Sequence, residues 1–311
     1  MTTAELYADF ATREARGVSP TYERLAWAVA ADPVAHELLE RVPAAKRQPN
    51  LLFGVVRLLG GPVDTAGAFR EFTVANWTAI EKELLVRAVQ TNETGRCAVL
   101  LPVLADLPQP LALLEVGASA GLGLYPDRYS YRYGDRALGT GGPVLECTLT
   151  GTQPPSRLPE VVWRAGLDLN PLRVTDPADV AWLDALIWPE HQHRRDRLRA
   201  ATGIAAADPP ELHTGDLVDD LPALAATAPA GATLVVFHTS VLYQVPADRR
   251  AEFLDLAGTL PGHWISVETP EVVPFDGLPP APDASLHNVV ALDGKPLAWA
   301  KGHGQSAHWF A

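Results

Sequence analysis

The sequence predicts an α/β fold in which a helical N-terminal region precedes an open, largely parallel sheet. Apolar residues in the first hundred positions recur at helical spacing, and no alternation typical of strands is visible before about residue 98. From about Leu111, short apolar runs alternate with helical segments, as they do in parallel sheets. The run Ala232–Phe237 is continuously apolar, which is typical of a strand buried on both faces. We therefore expect a helical cap over residues 1–105 and a sheet domain over 106–311.

Individual elements follow from caps, periodicity and helix breakers. Apolar residues from Phe69 to Ala88 predict one helix over Ala66–Val89. A capping pattern at Asp176 starts another helix, which we expect to run, with a break at Trp188-Pro189, to about Ala201. Residues 129–151 form an insertion that we interpret as a β-hairpin. Apolar runs predict strands at Leu111–Val116, Val161–Leu169, Glu211–Gly215, Ala232–Phe237, His263–Glu268, Leu286–Leu292 and Leu297–Lys301.

Charge and composition limit the classes of partner. The 311 residues carry a net charge of −12 with arginines spread along the chain, so no nucleic-acid partner is expected. No apolar run reaches the ~18 residues of a membrane span, and the first residues lack the pattern of a signal peptide. Cys97 and Cys147 form no framework, and we interpret both as reduced thiols. His191 and His193 point to different sides of a helix and cannot chelate one ion together, so we expect no metal site. The reduced cysteines predict a cytoplasmic protein, and we expect no membrane contact.

The segment after the first strand, Glu115–Gly123, carries the first chemical signal. Its sequence, EVGASAGLG, lets the backbone approach a nucleotide closely, with the amides of a following helix facing the bound group. The same residues contain G-x-S-x-G, the nucleophile elbow of hydrolases, with Ser119 as nucleophile. A strand-to-helix turn without a ligand is the third interpretation.

Topology separates the two ligand-binding interpretations. An elbow serine follows a strand in the middle of its sheet, so several strands should precede it in the sequence. Here the preceding hundred residues are predicted to be helical, and at least five strands follow. A first strand that ends in an acid and a small-residue loop is typical of a Rossmann-like nucleotide site, which would use Glu115, Gly117, Ser119 and Gly121.

Acidic residues end the next two strands. Asp168 could accept from both hydroxyls of a ribose, although an acid at this point equally bonds the backbone of the following turn. Glu146 is the competing candidate for the ribose. Asp216, after the third strand, could accept from an exocyclic adenine amine or cap the turn that follows it.

The candidates for the acceptor side come from two segments. His238 follows the fourth strand and could act as an acid or a base, and Tyr243 lies five residues further on. A dense polar segment at Gln90–Arg96 would line the pocket, and its side chains Asn92, Glu93 and Arg96 can grip a polar substrate. The Arg96 guanidinium could hold a carboxylate in a two-pronged pair.

The chain resembles a bacterial family called domain of unknown function 2332. The segments that carry the resemblance span most of the chain: Arg47–Phe53, Gln90–Glu93 with Gly95-Arg96, Leu114–Leu122, Asp127–Tyr129, Gly166–Leu172 and Val236–His238. The family is similar in outline to class I S-adenosylmethionine-dependent methyltransferases, which implies a Rossmann-like methyltransferase sheet with S-adenosylmethionine as cofactor. Their loop usually reads E-x-G-x-G-x-G, and Ser119 replaces its middle glycine. Their usual acceptor-binding motif after the fourth strand is replaced here by His238-Thr239-Ser240.

The resulting hypothesis is an enzyme that transfers a methyl group from S-adenosylmethionine to a small polar molecule. The expected cofactor-binding residues are Glu115, Gly117, Ser119, Gly121, Asp168 and Asp216. The expected substrate-binding residues are Asn92, Glu93 and Arg96, and the expected catalytic residues are His238 and Tyr243. Two alternatives stay open, namely a serine hydrolase that pairs Ser119 with a C-terminal histidine such as His303, and a non-catalytic small-molecule-binding protein of the same fold.

Overall fold

A computed structural model describes residues 1–90 and 92–311. The helices of these residues are α1 (Thr3–Phe10), α2 (Pro20–Ala30), α3 (Pro33–Leu39), α4 (Pro49–Leu58), α5 (Ala66–Ala75), α6 (Trp77–Val86), α7 (Cys97–Asp106), α8 (Pro177–Leu186), α9 (Gln192–Ala207), α10 (Leu221–Ala225) and α11 (Ala247–Ala257). The strands are β1 (Leu111–Val116), β2 (Ser130–Tyr133), β3 (Arg136–Leu138), β4 (Val144–Glu146), β5 (Thr148–Thr150), β6 (Val161–Asp168), β7 (Glu211–Thr214), β8 (Thr233–Thr239), β9 (His263–Glu268), β10 (Asn288–Leu292), β11 (Lys295–Ala300) and β12 (Ser306–Trp309). None of the described helices is long and apolar enough to cross a bilayer.

The chain divides into two compact units that interleave along the sequence. The first contains Met1–Thr91 and Asp176–Asp196, and the second contains Asn92–Thr175 and Arg197–Ala311. The sequence predicted a helical cap made of residues 1–105 alone, and the first unit differs from that cap in two places. Helix α7 is part of the second unit because it is apolar on nearly all sides and buried throughout from Cys97 to Ala105. Helix α8 returns to the first unit.

The first unit is helical and has an aromatic core. The ring of Phe53 in α4 lies within 6.1 Å, between ring centroids, of four other rings, namely those of Tyr7, Phe10, Tyr22 and Phe69. Such pairs add ~0.5–1.5 kcal/mol each to the free energy gained by burial.

The returning segment completes this unit. Trp182 of α8 is 1% exposed, and its indole nitrogen donates to the carbonyl of Ala88 over 3.2 Å. A Cβ atom added at Gly54 would lie 3.1 Å from the Trp182 ring, so the close approach of α4 and α8 depends on glycine at this position. Further along, Ser19 donates to the carboxylate of Glu190 over 2.6 Å.

The second unit is built on a large, mostly parallel sheet of mixed α/β type. Its nine strands lie in the order β5-β12-β11-β10-β9-β8-β1-β6-β7. Strands β7, β6, β1, β8 and β9 are mutually parallel, whereas β10, β11 and β12 form antiparallel pairs. Strand β1 therefore lies between β6 and β8, and Glu115 pairs with Gly166 on one side and Phe237 on the other. This register brings the carboxyl ends of the three strands together.

Several predicted elements have different bounds in the structure. The helix predicted over Ala66–Val89 is two helices, because Asn76 leaves helical geometry with φ −112° and ψ 18°. The hairpin predicted at 129–151, between the segments YSYRYG and VLECTLTG, does not form. Strand β2 makes its antiparallel pair with β3, β4 pairs parallel to β2, and β5 joins the edge of the large sheet. No α-helix follows β1, and only a 3-10 turn forms at Leu122–Leu124. The amides of a following helix are thus not available at this loop.

Candidate functional site

The segment between Gly117 and Gly123, named here the glycine loop, lies at the carboxyl end of β1. Gly117 and Gly121 have φ values of 70° and 69°, in the left-handed region that glycine adopts without a steric penalty. Ser119 between them has φ 51°, which is uncommon for a residue with a side chain. Alternate residues of the loop are thus held in left-handed geometry, and contacts from several other elements keep them there.

Asp168, at the end of β6, is one of these contacts. Its Oδ2 accepts from the backbone amide of Ser119 and its Oδ1 from the amide of Asn170, both over 2.8 Å. The second bond is the turn interaction that the sequence allowed as an alternative to ribose binding. An ionised carboxylate has about four acceptor sites, and Asp168 is partly exposed, so these two bonds leave capacity for a ligand.

Asn92 holds the glycine loop from the opposite end. Its side-chain amide donates to the carbonyl of Ala118 over 2.7 Å, and its oxygen accepts from the amide of Leu122 over 3.0 Å. The Tyr129 hydroxyl donates to the carbonyl of Leu122 over 2.8 Å. The structure therefore places Asn92, which the sequence assigned to the substrate, as a clamp on the loop; Thr91, its neighbour in the same polar segment, lies outside the described residues.

Glu115, one residue before the end of β1, is buried beneath the loop. It is 7% exposed, and its carboxyl lies where a Cβ atom at Gly123 would be, 2.4 Å from its Oε1. Burial raises the pKa of Glu115 to about 8, with Arg96 lowering it and Asp168 raising it further. Its Oε2 has no hydrogen-bond partner among the described residues. At neutral pH this carboxyl is therefore mostly protonated, and it contributes a neutral group to the site.

Arg96 reaches the neighbouring strand end. Its Nη1 donates to the carbonyl of Thr239 at the end of β8 over 2.8 Å, and its Nε donates to the carbonyl of Gly302 over 2.9 Å. Glu93 accepts from the amide of Gly95 over 3.0 Å and pairs with Arg197 over 2.7 Å. Arg96 thus ties the segment before α7 to the end of β8 and to the turn before β12, and Glu93 ties it to α9.

His238, the expected catalytic residue of β8, is fully buried. Its Nδ1 lies 2.8 Å from Oε1 of Glu268, and its ring packs against Phe253 and Trp264. The same Glu268 oxygen accepts from the amides of Val241 and, over 3.2 Å, Leu242. His238 and Glu268 therefore fix the turn after β8.

Sequence reasoning missed Glu268. The available signal was its position, since Glu268 ends the fifth parallel strand as Asp168 ends the second, and Glu115 lies one residue before the end of the first. Tyr243, the second expected catalytic residue, lies on the turn after β8 and is 61% exposed.

The turn after β8 also covers the glycine loop. A Cβ atom added at Gly117 would lie 2.5 Å from a methyl group of Val241, so this side chain packs directly on the backbone of Gly117. The two segments that follow β1 and β8 are in contact at the point where the strand order reverses. Val241 was not anticipated from the sequence.

The two remaining predicted residues, Asp216 and Glu146, make their hydrogen bonds and ion pairs outside the glycine loop. Asp216 accepts from the amides of Val218 and Asp219 and pairs with Arg249. Burial alone would raise the pKa of Asp216, but these donors outweigh it and the net shift is downward. Asp216 thus caps the turn after β7, the alternative that the sequence left open. Glu146 lies in the small sheet β3-β2-β4, where it pairs with Arg132 over 3.3 Å.

Ser119 is a candidate in both enzyme hypotheses, as a cofactor-binding residue of a methyltransferase and as the nucleophile of a hydrolase. Its hydroxyl is buried and has no hydrogen-bond partner in the described part of the chain, so no histidine of that part contacts it. His303, the histidine named for a hydrolase, lies in the turn that receives Arg96, and its amide donates to the side chain of Gln305. Across residues 1–90 and 92–311, no group of three or more His, Cys, Asp or Glu side chains could hold a metal ion.

Comparison with known proteins gives one match. A family model described as an uncharacterised protein conserved in bacteria, DUF2332, matches residues 4–309. Neither the curated proteins nor the solved structures gave a match.

Proposed function

We propose that this chain, which belongs to the DUF2332 family of uncharacterised bacterial proteins, is an S-adenosylmethionine-dependent methyltransferase that acts on a small polar molecule. The family description names no activity, so the proposal rests on the second unit. Its central observation is the order of the five parallel strands. Numbered along the chain, they lie in the order 3-2-1-4-5. This is the order of Rossmann sheets, in which ligands bind where the strand order reverses, and here that place holds the glycine loop.

The residues of the loop are compatible with the nucleoside part of the cofactor. Asp168 retains acceptor sites beyond its two backbone bonds, as a ribose diol requires. The buried hydroxyl of Ser119 has no partner among the described residues, and a shift of the glycine loop would be needed to bring it to a ligand atom. Glu115 is largely protonated at neutral pH, which spares the site a buried ion. We assign the ribose to Asp168 rather than Glu146, because Glu146 lies in the small sheet.

When bound, S-adenosylmethionine would supply an electrophilic methyl group carried on its sulfonium. The protein contributes orientation, which is the main requirement of an in-line displacement. Tyr243, exposed on the turn after β8, and Arg96, at the end of β8, are the proposed acceptor-side residues. His238 acts through Glu268 as a positioning residue for that turn, and Val241 excludes water from the backbone of Gly117.

Ligand-induced stabilisation tests the proposal. S-adenosylhomocysteine at 100 times its dissociation constant adds about 2.7 kcal/mol to the free energy of unfolding, which raises the melting temperature by several degrees. Asp168→Asn should weaken its binding by about tenfold, since bonds to a charged group contribute ~1.5–3 kcal/mol. Glu146→Gln is the matched control and should bind like wild type. No stabilisation by either S-adenosylmethionine or S-adenosylhomocysteine at millimolar concentration would contradict the proposal, and binding without methyl transfer to any polar acceptor would favour the non-catalytic alternative.

A serine hydrolase is the second candidate, and the backbone of Ser119 favours it. Left-handed geometry at the serine of G-x-S-x-G is the strained arrangement that an elbow nucleophile adopts. Against it stand the buried hydroxyl and the absence of a histidine contact within the described residues. We expect no labelling of wild type by a fluorophosphonate probe, and we expect Ser119→Ala to bind S-adenosylhomocysteine within about tenfold of wild type. Stoichiometric labelling that is lost in Ser119→Ala would establish the hydrolase instead.

A further inference from the structure

The ends of β1 and β8 border the crevice at which the strand order of the sheet reverses. Gly117 follows the end of β1, Val241 lies just beyond the end of β8, and the two strands are neighbours. In open parallel sheets a ligand enters the crevice outside such strand ends, and a glycine there lets it approach the backbone closely. The room that Gly117 leaves to a ligand is therefore the room that its missing side chain would fill.

In this structure the side chain of Val241 fills that room. A Cβ atom added at Gly117 would lie 2.5 and 2.6 Å from the two methyl groups of Val241, too close for both to fit. Val241 is only partly buried, and it begins the turn that carries the exposed side chain of Tyr243. The contact thus lies at the open side of the second unit and not in its core.

The other glycines of the glycine loop, Gly121 and Gly123, have their open sides toward different neighbours. A Cβ atom at Gly121 would lie 3.1 Å from Leu212 of β7, and one at Gly123 would lie 2.4 Å from the carboxyl of Glu115. Packing within the second unit accounts for glycine at these two positions. Gly117 is the loop glycine whose open side is directed at the turn after β8, and hence at the crevice.

Backbone strain lies on both sides of this contact. Ser119 in the glycine loop has φ 51°, and Ser240, directly before Val241, has φ 53°. Within residues 1–90 and 92–311, Asp293 is the one further residue with a side chain and a positive φ. Strained residues of this kind cluster at ligand clamps and in segments that change conformation. Their position here indicates that the two segments in contact have a second arrangement, in which they are apart.

We propose that the contact between Val241 and Gly117 is autoinhibitory, because it occupies the place of the ligand and a ligand binds only by displacing the Val241 side chain. This inference rests on the proposed function, since it concerns the site assigned there to the nucleoside. A ligand that must displace such a contact binds with an affinity reduced by the fraction of open molecules. The affinity of the site is therefore controlled by a side chain that does not hold the ligand.

Two valine variants of the same turn measure this competition in calorimetric titrations of the full chain with S-adenosylhomocysteine. Val241→Ala removes both methyl groups from Gly117, and one buried group of this size shifts an equilibrium about fourfold, so the affinity should rise about four- to fifteenfold. Val245→Ala removes the same atoms from the other end of the turn and should bind like wild type. A purely structural role of Val241 predicts an unchanged or weaker affinity in Val241→Ala.

Methyl NMR spectra follow the contact itself. A nuclear Overhauser effect between the Val241 methyl protons and the α-protons of Gly117 should be present in the free protein and lost at saturating S-adenosylhomocysteine. Equal affinities of Val241→Ala and Val245→Ala, or an Overhauser effect that persists in the complex, would overturn the inference and leave the proposed function standing. Failure of S-adenosylhomocysteine to bind both wild type and Val241→Ala would overturn both, whereas binding to Val241→Ala alone would support both.

Discussion

The carboxyl of Glu115 should make the stability of the second unit depend on pH. Its pKa is about 8 in the folded protein, against an ordinary value of 4.5, because burial disfavours its charged form. Between these two values the folded state keeps a proton that the unfolded state releases. The stabilisation is therefore fully present below about pH 4.5 and is lost as the pH rises through about 8.

Glu115→Gln removes this dependence while preserving the shape of the side chain. One pKa unit corresponds to about 1.4 kcal/mol, so the wild type should lose at most about 2.7 kcal/mol relative to the variant between pH 5.5 and 7.5. At 7% exposure, little solvent is available to screen the group, and most of this amount should be observed. The variant should be close to wild type only below about pH 4.5, should already be the more stable protein at pH 5.5, and should exceed wild type further at pH 7.5.

Urea unfolding at three pH values measures the difference between the two proteins, so the titration of all other groups cancels. Glu146→Gln, which removes an exposed carboxyl from the small sheet, provides the baseline. Parallel pH profiles for wild type and Glu115→Gln would refute the assignment of a protonated, buried carboxyl beneath the glycine loop.

Three further substitutions test the contacts that hold the site. Asn92→Ala removes two hydrogen bonds to the glycine loop and should lower the free energy of unfolding by about 1–3 kcal/mol, measured in urea. Gly123→Ala would place a methyl group 2.4 Å from an oxygen of Glu115 and should lower the free energy of unfolding by about 1–3 kcal/mol. The control Gly203→Ala, in open space on a helix, should raise it by up to about 1 kcal/mol. Equal effects of the two substitutions would contradict the crowding of Gly123 by Glu115. Glu268→Ala leaves a histidine ring and two amides without their acceptor and should cost at least about 3 kcal/mol, so a loss below about 1 kcal/mol in thermal unfolding would be inconsistent with its place in the structure.

The central strands were predictable because burial on both faces leaves a continuous apolar run. His263–Glu268 has the predicted bounds, and the strand at Ala232–Phe237 differs by only one or two residues at each end. The break at Asn76 was not predictable. Apolar residues keep the same spacing on both sides of it, so the sequence pattern is that of one continuous helix. Strand β12, which lies next to the edge strand β5, was missed because four residues carry too little alternation.

The site was predictable to the extent that it lies at strand ends. The positions of Glu115 and Asp168 follow from where their strands stop, and the bond from Asp168 to the following turn is local. The bond from Asp168 to Ser119 joins residues 49 positions apart, and that from Glu268 to Val241 joins residues 27 positions apart. Contacts of this kind depend on the register of neighbouring strands, which a single sequence does not specify.

The interleaving of the two units has a consequence for biosynthesis. The first 91 residues leave the ribosome without the segment Asp176–Asp196, which supplies the Trp182 ring that packs on Gly54. About 100 further residues must be added before that segment is complete, which takes roughly 5–20 s at ~5–20 residues per second. During this interval the nascent helical unit exposes the apolar surface of α4 that α8 later covers, and such a surface is prone to aggregation. A gene fragment that ends at residue 91 should therefore give an insoluble product, whereas linking residues 176–196 to it should rescue its folding.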